Sequence, residues 1–197
     1  ELLGQARTLI LAGKYQEGRK IAFRALEKYP TYADILILVG RSYAWEGKND
    51  SSSVYFERAI SASPGYADAY AGFLDNLFWS DNLQKADEII KIAKSKLGDP
   101  IPDAIAYRES RLLYYRENYE EAFAIAKPLF DRGYSQEGML GYMQNLQRLL
   151  NTNAIGGTYD YDTFYGDIAP WHTWSVYART RTKLTGSLIA RVTQSQR

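Results

Sequence analysis

The chain has no cysteine among its 197 residues, which excludes disulfides, thiolate metal sites and a thiol nucleophile. That absence suits the periplasm and the cytosol equally and assigns no compartment. There is one histidine, His172, so a metal centre built from several imidazoles is excluded as well. No charge sign is in excess: 24 lysines and arginines face 23 aspartates and glutamates, a net charge of +1. No global field therefore gathers nucleic acid or repels anions. The basic residues are interleaved with acidic ones along the chain, which argues against a nucleic-acid surface. No apolar run approaches the roughly 18–20 residues of a membrane-spanning helix; residues 35–39 are the longest candidate and belong to an amphipathic pattern. A phosphate-cradling glycine loop and a nucleophile elbow are missing too. Gly156-Gly157 reads as a glycine pair in a strand.

What remains is a foldable chain, 46% hydrophobic, with a mean hydropathy of -0.40 and enough length for one or two cores. Tyrosine is unusually common, 17 against 7 phenylalanines. The last 45 residues are rich in Tyr, Trp, Thr, Ser and Gly and poor in charge, which marks a second kind of structure. A helical pattern is already running at Leu2 and Leu3, so the natural start is expected to lie upstream of Glu1.

The first 134 residues repeat. Gly13 and Gly47 are 34 apart, as are Pro30 and Pro64, and as are Ala25, Ala59 and Ala93. "GKYQEGRKIAFRALEKYP" aligns with "GKNDSSSVYFERAISASP" and then "DNLQKADEIIKIAKSKLG"; a fourth copy, "ENYEEAFAIAKPLFDRG", follows two extra residues near Pro100 and Pro102. Periods of this length signify stacked supersecondary units. Small residues between helices, a large residue at the turn and a closing proline occur in the second copy as Gly40, Tyr43, Gly47, Phe56, Ala59 and Pro64. This pattern resembles the tetratricopeptide-repeat family. The fourth copy departs most, with Glu117 in place of the turn glycine and Pro128 where it should kink the second helix. Residues 135–150 carry Met139, Tyr142, Met143, Leu146, Leu149 and Leu150 at helical spacing and are expected to cap the stack.

The resemblance implies that the first helix of each pair lines a concave surface. In register, one groove-facing row is Leu11, Trp45, Trp79 and Tyr115, and another is Arg7, Arg41, Asp75 and Arg111. Tyr107 and Tyr114 are expected on the same side. Flat aromatic faces beside arginine forks suit peptides bearing carboxylates or aromatics, and they suit sugar rings. Padding between neighbouring repeats is the competing role for Trp45 and Trp79.

From Asn153 the period falls to two. "NAIGGTYDYD", "WHTWSVYARTRT" and "SLIARVTQSQR" each alternate over about 10 residues, with Gly166, Pro170 and Gly186 at the breaks. Such strands, with one apolar face and aromatics near their ends, fit a transmembrane β-barrel or a soluble meander. The segment also resembles the opening of the YaiO-like outer-membrane β-barrel family through Asn153, Ile155, Gly156, Tyr159 to Asp162, Phe164, Pro170, Trp171, Gly186 and Ile189 to Val192. "YAW" at Trp45 and "LFW" at Trp79 are similar to repeats that precede such barrels. Three strands cannot close a barrel, since the smallest membrane barrels have about eight; further strands beyond Arg197 are therefore expected.

The expected fold is an all-α tetratricopeptide-like helical-repeat superhelix over residues 1 to about 150, including the capping helix. Residues 151–197 follow as a C-terminal antiparallel β segment, the first strands of an incomplete barrel. No catalytic residue, cofactor or metal site is expected. His172 beside Trp171 reads as structural or interfacial, and the carboxylate pairs Glu120–Glu121 and Asp160–Asp162 read as solvated or lumen-facing. The expected function is a non-catalytic periplasmic scaffold of an outer-membrane barrel protein in a larger envelope complex. It holds a protein, a peptide or a polysaccharide in envelope assembly or polysaccharide export. A soluble adaptor with a small C-terminal sheet is the alternative.

Overall fold

The computed structural model describes residues 1–136, 138–150, 153–162, 171–182 and 186–196. The chain forms two compact units, residues 1–143 and 144–197. The helices are α1 (Leu2–Leu11), α2 (Tyr15–Lys28), α3 (Ala33–Trp45), α4 (Asn49–Ala62), α5 (Ala67–Trp79), α6 (Leu83–Leu97), α7 (Asp103–Tyr115), α8 (Tyr119–Asp131) and α9 (Met139–Leu150). The strands are β1 (Asn153–Asp162), β2 (Trp171–Thr182) and β3 (Gly186–Gln196). The boundary between units falls inside α9.

Four helix pairs stack in sequence, each hinged by a three-residue link. The middle residue of every link has positive φ: Gly13 at 77°, Gly47 at 75°, Asp81 at 54° and Glu117 at 59°. The residue after it then donates its N–H back to a carbonyl five positions earlier. Lys14 reaches Leu9, Lys48 reaches Tyr43, Asn82 reaches Leu77 and Asn118 reaches Leu113, all at 2.9 Å. This closure satisfies carbonyls that a helix end otherwise leaves unpaired. Glu117 thus adopts the turn geometry that a glycine takes more easily, and Asp81 does the same. Pro128 does not end its helix: α8 runs from Tyr119 to Asp131, losing only the donor that Ala124 would accept.

Between the pairs, small residues admit large ones. Phe56 of α4 is fully buried. A Cβ on Gly40 would lie 3.2 Å from its ring, and one on Gly72 only 2.5 Å away. Its ring centre lies 5.9 Å from that of Phe73. Ala25, Ala59 and Ala93 recur in this core, so the 34-residue spacing is a packing period. On the far side Arg19 lies over the Tyr43 ring at 4.1 Å. It also pairs with Glu46 at 2.6 Å, tying the first repeat to the second.

The second unit contains an open antiparallel meander in the order β1-β2-β3. The expected barrel is not closed among the described residues, because β1 and β3 are both sheet edges and three strands cannot curl into a cylinder. Register places Ile155 opposite Ala178, Gly157 opposite Val176, Tyr159 opposite Trp174 and Tyr161 opposite His172. Val192 and Ala190 continue those rows on β3. This face is apolar and open, with Ile155 85% and Val192 75% exposed. The other face carries Thr158, Ser175 and Thr193 in one row. On the same face Tyr177 covers Gly156, where an added Cβ would meet its ring at 2.5 Å. Phe164, Gly166 and Pro170 lie outside the described residues.

Replacing Glu117 or Asp81 with glycine removes a Cβ from a left-handed position and is expected to stabilise the repeats by about 1 kcal/mol each. Urea unfolding of the single variants checks this. Gly72→Ala is expected to lose about 1–3 kcal/mol through collision with Phe56.

Candidate functional site

The first helices α1, α3 and α5 enclose a hollow of about 240 Å³. Arg7 and Leu11 reach it from α1; Asp34, Ile37, Leu38, Arg41 and Trp45 line it from α3; Asp68 enters from α5. Arg–x3–Leu and Arg–x3–Trp spacing puts charge and apolar surface on one helix face. Arg41 pairs with Asp68 at 2.8 Å. Asp34 is the Asp68 equivalent one repeat earlier, but it accepts from the Tyr66 hydroxyl at 2.6 Å. That bond to a carboxylate raises the Tyr66 pKa above its ordinary value. Arg7, the Arg41 equivalent, is exposed and makes no hydrogen bond or ion pair among the described residues.

Leu11, Trp45, Trp79 and Tyr115, the row implied by the repeat register, are all exposed, Leu11 67% and Trp79 56%. Trp45 also sits 6.4 Å from the Tyr15 ring of the preceding repeat, so part of its surface serves packing. Asp75 and Arg111 share a second site with Arg108, a residue outside the expected rows. Arg108 is 7% exposed. Its guanidinium donates to the Ala71 carbonyl at 2.9 Å, the Ala104 carbonyl at 2.8 Å and Asp75 at 2.5 Å. Arg111 lies 3.8 Å from Asp75, stacks 5.1 Å over Phe78 and donates to the Tyr115 hydroxyl. Asp75 therefore neutralises a buried cation and is not an open binding group.

Tyr107 does not face the groove as expected. It is 6% exposed and is enclosed by the rings of Tyr134 at 5.9 Å and Tyr142 at 5.7 Å, and this burial pushes its pKa up. Tyr114 is half-buried and meets Tyr115, Tyr119 and Tyr142 edge-on. Both belong to a tyrosine cluster joining the first turns of α9 to α7. Tyr142, whose hydroxyl is 2.7 Å from the Ser110 Oγ, is pushed up to about 12 by burial.

Among the described residues no group of three or more His, Asp or Glu side chains is arranged to hold a metal ion. His172 is engaged by the Tyr159 hydroxyl, 2.6 Å from Nδ1, and lies 5.0 Å from the Tyr161 ring. Glu120, Glu121 and Asp160 are exposed. The hollow offers an apolar floor, the flat face of Trp45 and the Arg7 guanidinium, which has no partner among the described residues. Sequence reasoning missed Asp34 and Asp68, although their 34-residue spacing was a usable signal. It also missed Arg108, which has no counterpart in other copies (Leu38 and Gly72 occupy its register).

Asp75→Asn should destabilise the helical unit by about 2–3 kcal/mol, since it strands the buried Arg108 charge. Chemical denaturation reads this, and an Arg108→Leu background should absorb most of the loss. The hydrogen bond from Arg132 holds Asp103 below the usual carboxylate range, as those from Lys91 and Lys48 hold Asp87 and Glu46. A depressed folded pKa gives stability that is present above the unfolded value and lost as pH falls towards the folded one. Melting temperature should therefore fall as pH drops below about 4, and less steeply in Asp103→Asn.

No protein-family model matches the chain, and no curated protein matches its sequence. Solved structures do match in fold. Pseudomonas aeruginosa PilF superposes with a TM-score of 0.65 at 12% identity, over 75% of this chain and 66% of that one. A tetratricopeptide repeat protein from Parabacteroides merdae gives 0.63 at 15%, over 76% and 58%. A thermophilic tetratricopeptide-repeat protein from Thermus thermophilus gives 0.62 at 14%, over 75% and 80%. The chain thus spans less than two thirds of the length of the first two. The helical unit has the tetratricopeptide-repeat fold.

Proposed function

We propose that this protein is a non-catalytic scaffold of the bacterial envelope. Its repeats hold a protein segment on the first-helix surface, and its C-terminal strands begin an outer-membrane barrel. The observation that carries the scaffold reading is the row Leu11, Trp45, Trp79 and Tyr115. Large apolar groups recur at one register position on four helices and stay exposed, although burying such side chains is ordinarily favourable by 1.5–3 kcal/mol each. Aromatic side chains of this kind dominate binding energy at interfaces.

The membrane half rests on the sheet's two faces. Tyr159, Tyr161 and Trp174 gather at one end of the apolar face, with Ile155, Val176, Ala178, Ala190 and Val192 behind them. The opposite face has a Thr–Ser–Thr row. Apolar-out, polar-in alternation with an aromatic margin is how strands meet lipid, and it agrees with the YaiO-like resemblance of this segment. Placement of the repeats in the periplasm follows from that reading. A role in envelope assembly or polysaccharide export is an analogy from architecture.

Two measurements test these halves separately. Trp45→Ala/Trp79→Ala should abolish retention of envelope proteins on the immobilised repeats while leaving the helical melting curve within about 2 °C, given the exposure of both rings. Unchanged retention, or collapse of the melt, overturns the scaffold reading. The natural protein should sediment with outer membranes and need detergent for solubility. Recovery in the soluble fraction without detergent favours the soluble adaptor instead.

A further inference from the structure

Resting on the membrane half of the proposed function, we propose that the polar face of the β1-β2-β3 sheet walls an anion-selective passage. Arg179, Arg181 and Arg191 form its binding end, at the periplasmic mouth, and the solutes it takes carry carboxylate or phosphate groups.

The charged residues of the three strands are Asp160, Asp162, Arg179, Arg181 and Arg191. Register puts all of them on the face of the Thr158–Ser175–Thr193 row and none on the apolar face. They are also sorted along the strands. Asp160 stands opposite Thr173 and Asp162 opposite Trp171. Arg191 stands opposite Tyr177, Arg179 opposite Ala154 and Ile189, and Arg181 opposite Ser187. At about 3.4 Å per residue, the Arg191 and Arg179 rows lie roughly 13 and 20 Å along the strands from the Asp160 row. Both separations exceed the ~8 Å over which a charge is felt at physiological ionic strength, so the aspartates do not neutralise the arginine end. Within that end, Arg179 and Arg191 hold diagonal cross-strand positions, about 7–8 Å apart. Like charges so placed repel, and an anion between them removes the repulsion. Arg191 is exposed and makes no hydrogen bond or ion pair among the described residues. A guanidinium fork matches carboxylate and phosphate geometry, and arginine-lined walls select such ions in pores.

Two features agree on which end faces the periplasm. β1 starts at Asn153, just after α9 ends at Leu150, so the chain enters the sheet from the repeats at the arginine end. At that same end residues 183–185 alone join β2 to β3, whereas residues 163–170 join β1 to β2 at the other. Short periplasmic turns and longer outer loops are the rule in outer-membrane barrels.

The test uses the natural protein in detergent, inserted into planar bilayers across a potassium chloride gradient. The reversal potential should carry the sign of chloride permeation. Arg179→Glu/Arg191→Glu should shift it towards potassium, and Arg179→Lys/Arg191→Lys should leave it in place. A change of gel mobility on heating verifies that each variant keeps a folded barrel, and Arg191→Gln, which removes a single charge, should give a smaller shift in the same direction. Inorganic phosphate should compete with chloride. Block by oligogalacturonate, but not by neutral dextran of equal length, extends the passage to acidic sugar polymers; phosphate competition without that block confines it to small anions. Potassium selectivity, a reversal potential indifferent to these arginines, or a folded barrel that passes no current overturns the proposal and leaves the barrel reading standing. Recovery of the protein without detergent, with no heat-shifted band, overturns both.

Discussion

The arrangement of the groove depends on one steric constraint, the flanking of the Phe56 ring by two glycines. Gly40 on α3 and Gly72 on α5 leave room for a ring that a Cβ on either would crowd. Because that ring is wholly buried, the separation of the two first helices is set by its thickness and not by a flexible contact. The groove side inherits this spacing. Arg41 on α3 can reach Asp68 on α5 only because the backbones behind them are locked together. Interiors packed to this density transmit small volume changes, so a methyl group added at Gly72 would be felt at the hollow as well as at the ring.

The same register is solved differently further along the stack. Gly72 admits Phe56 from behind, whereas its counterpart in the next repeat, Arg108, fills the space between α5 and α7 from within. Its guanidinium satisfies two helix carbonyls and the Asp75 carboxylate, while Arg111 beside the same carboxylate leaves that stretch with one positive charge in excess. Towards α1, Arg7 and Asp34 are left apart. One groove thus has charges in contact at one end and apart at the other, through single-residue differences on a common frame.

The helices and strands were legible in the sequence because each follows a periodic rule. The glycine, alanine and proline spacings of 34 reported packing and turns directly, and the alternating runs from Asn153 and Trp171 coincide with β1 and β2. Exposure of Trp45, Trp79 and Tyr115 was legible for the same reason: equivalent positions in a repeat share a direction. Periodicity fails where one copy departs from the others. Tyr107 was assigned to the groove by register, but the tyrosines of α9 and of the link before it cover it, and these have no counterpart in earlier copies. Asp81 and Glu117 hold a conformation usually left to glycine, since the hydrogen bonds from Asn82 and Asn118 and the flanking helices determine the link. Pair formation was hidden altogether. Arg7 does not meet Asp34 as Arg41 meets Asp68; Asp34 instead accepts from the hydroxyl of Tyr66, outside either helix.

The sheet poses the complementary problem. Its strands are paired through ten or more residues, so backbone hydrogen bonding is satisfied along β2. Side-chain burial is not: the row Gly157–Val176–Val192 faces outward, and Ser175 is buried on the other side. A small antiparallel sheet in water normally hides its valines against a core. Here both faces are open among the described residues, with Thr158 and Thr193 exposed as well as Val176 and Val192. The alternation of the two faces, more than their burial, is what the proposed lipid contact would use.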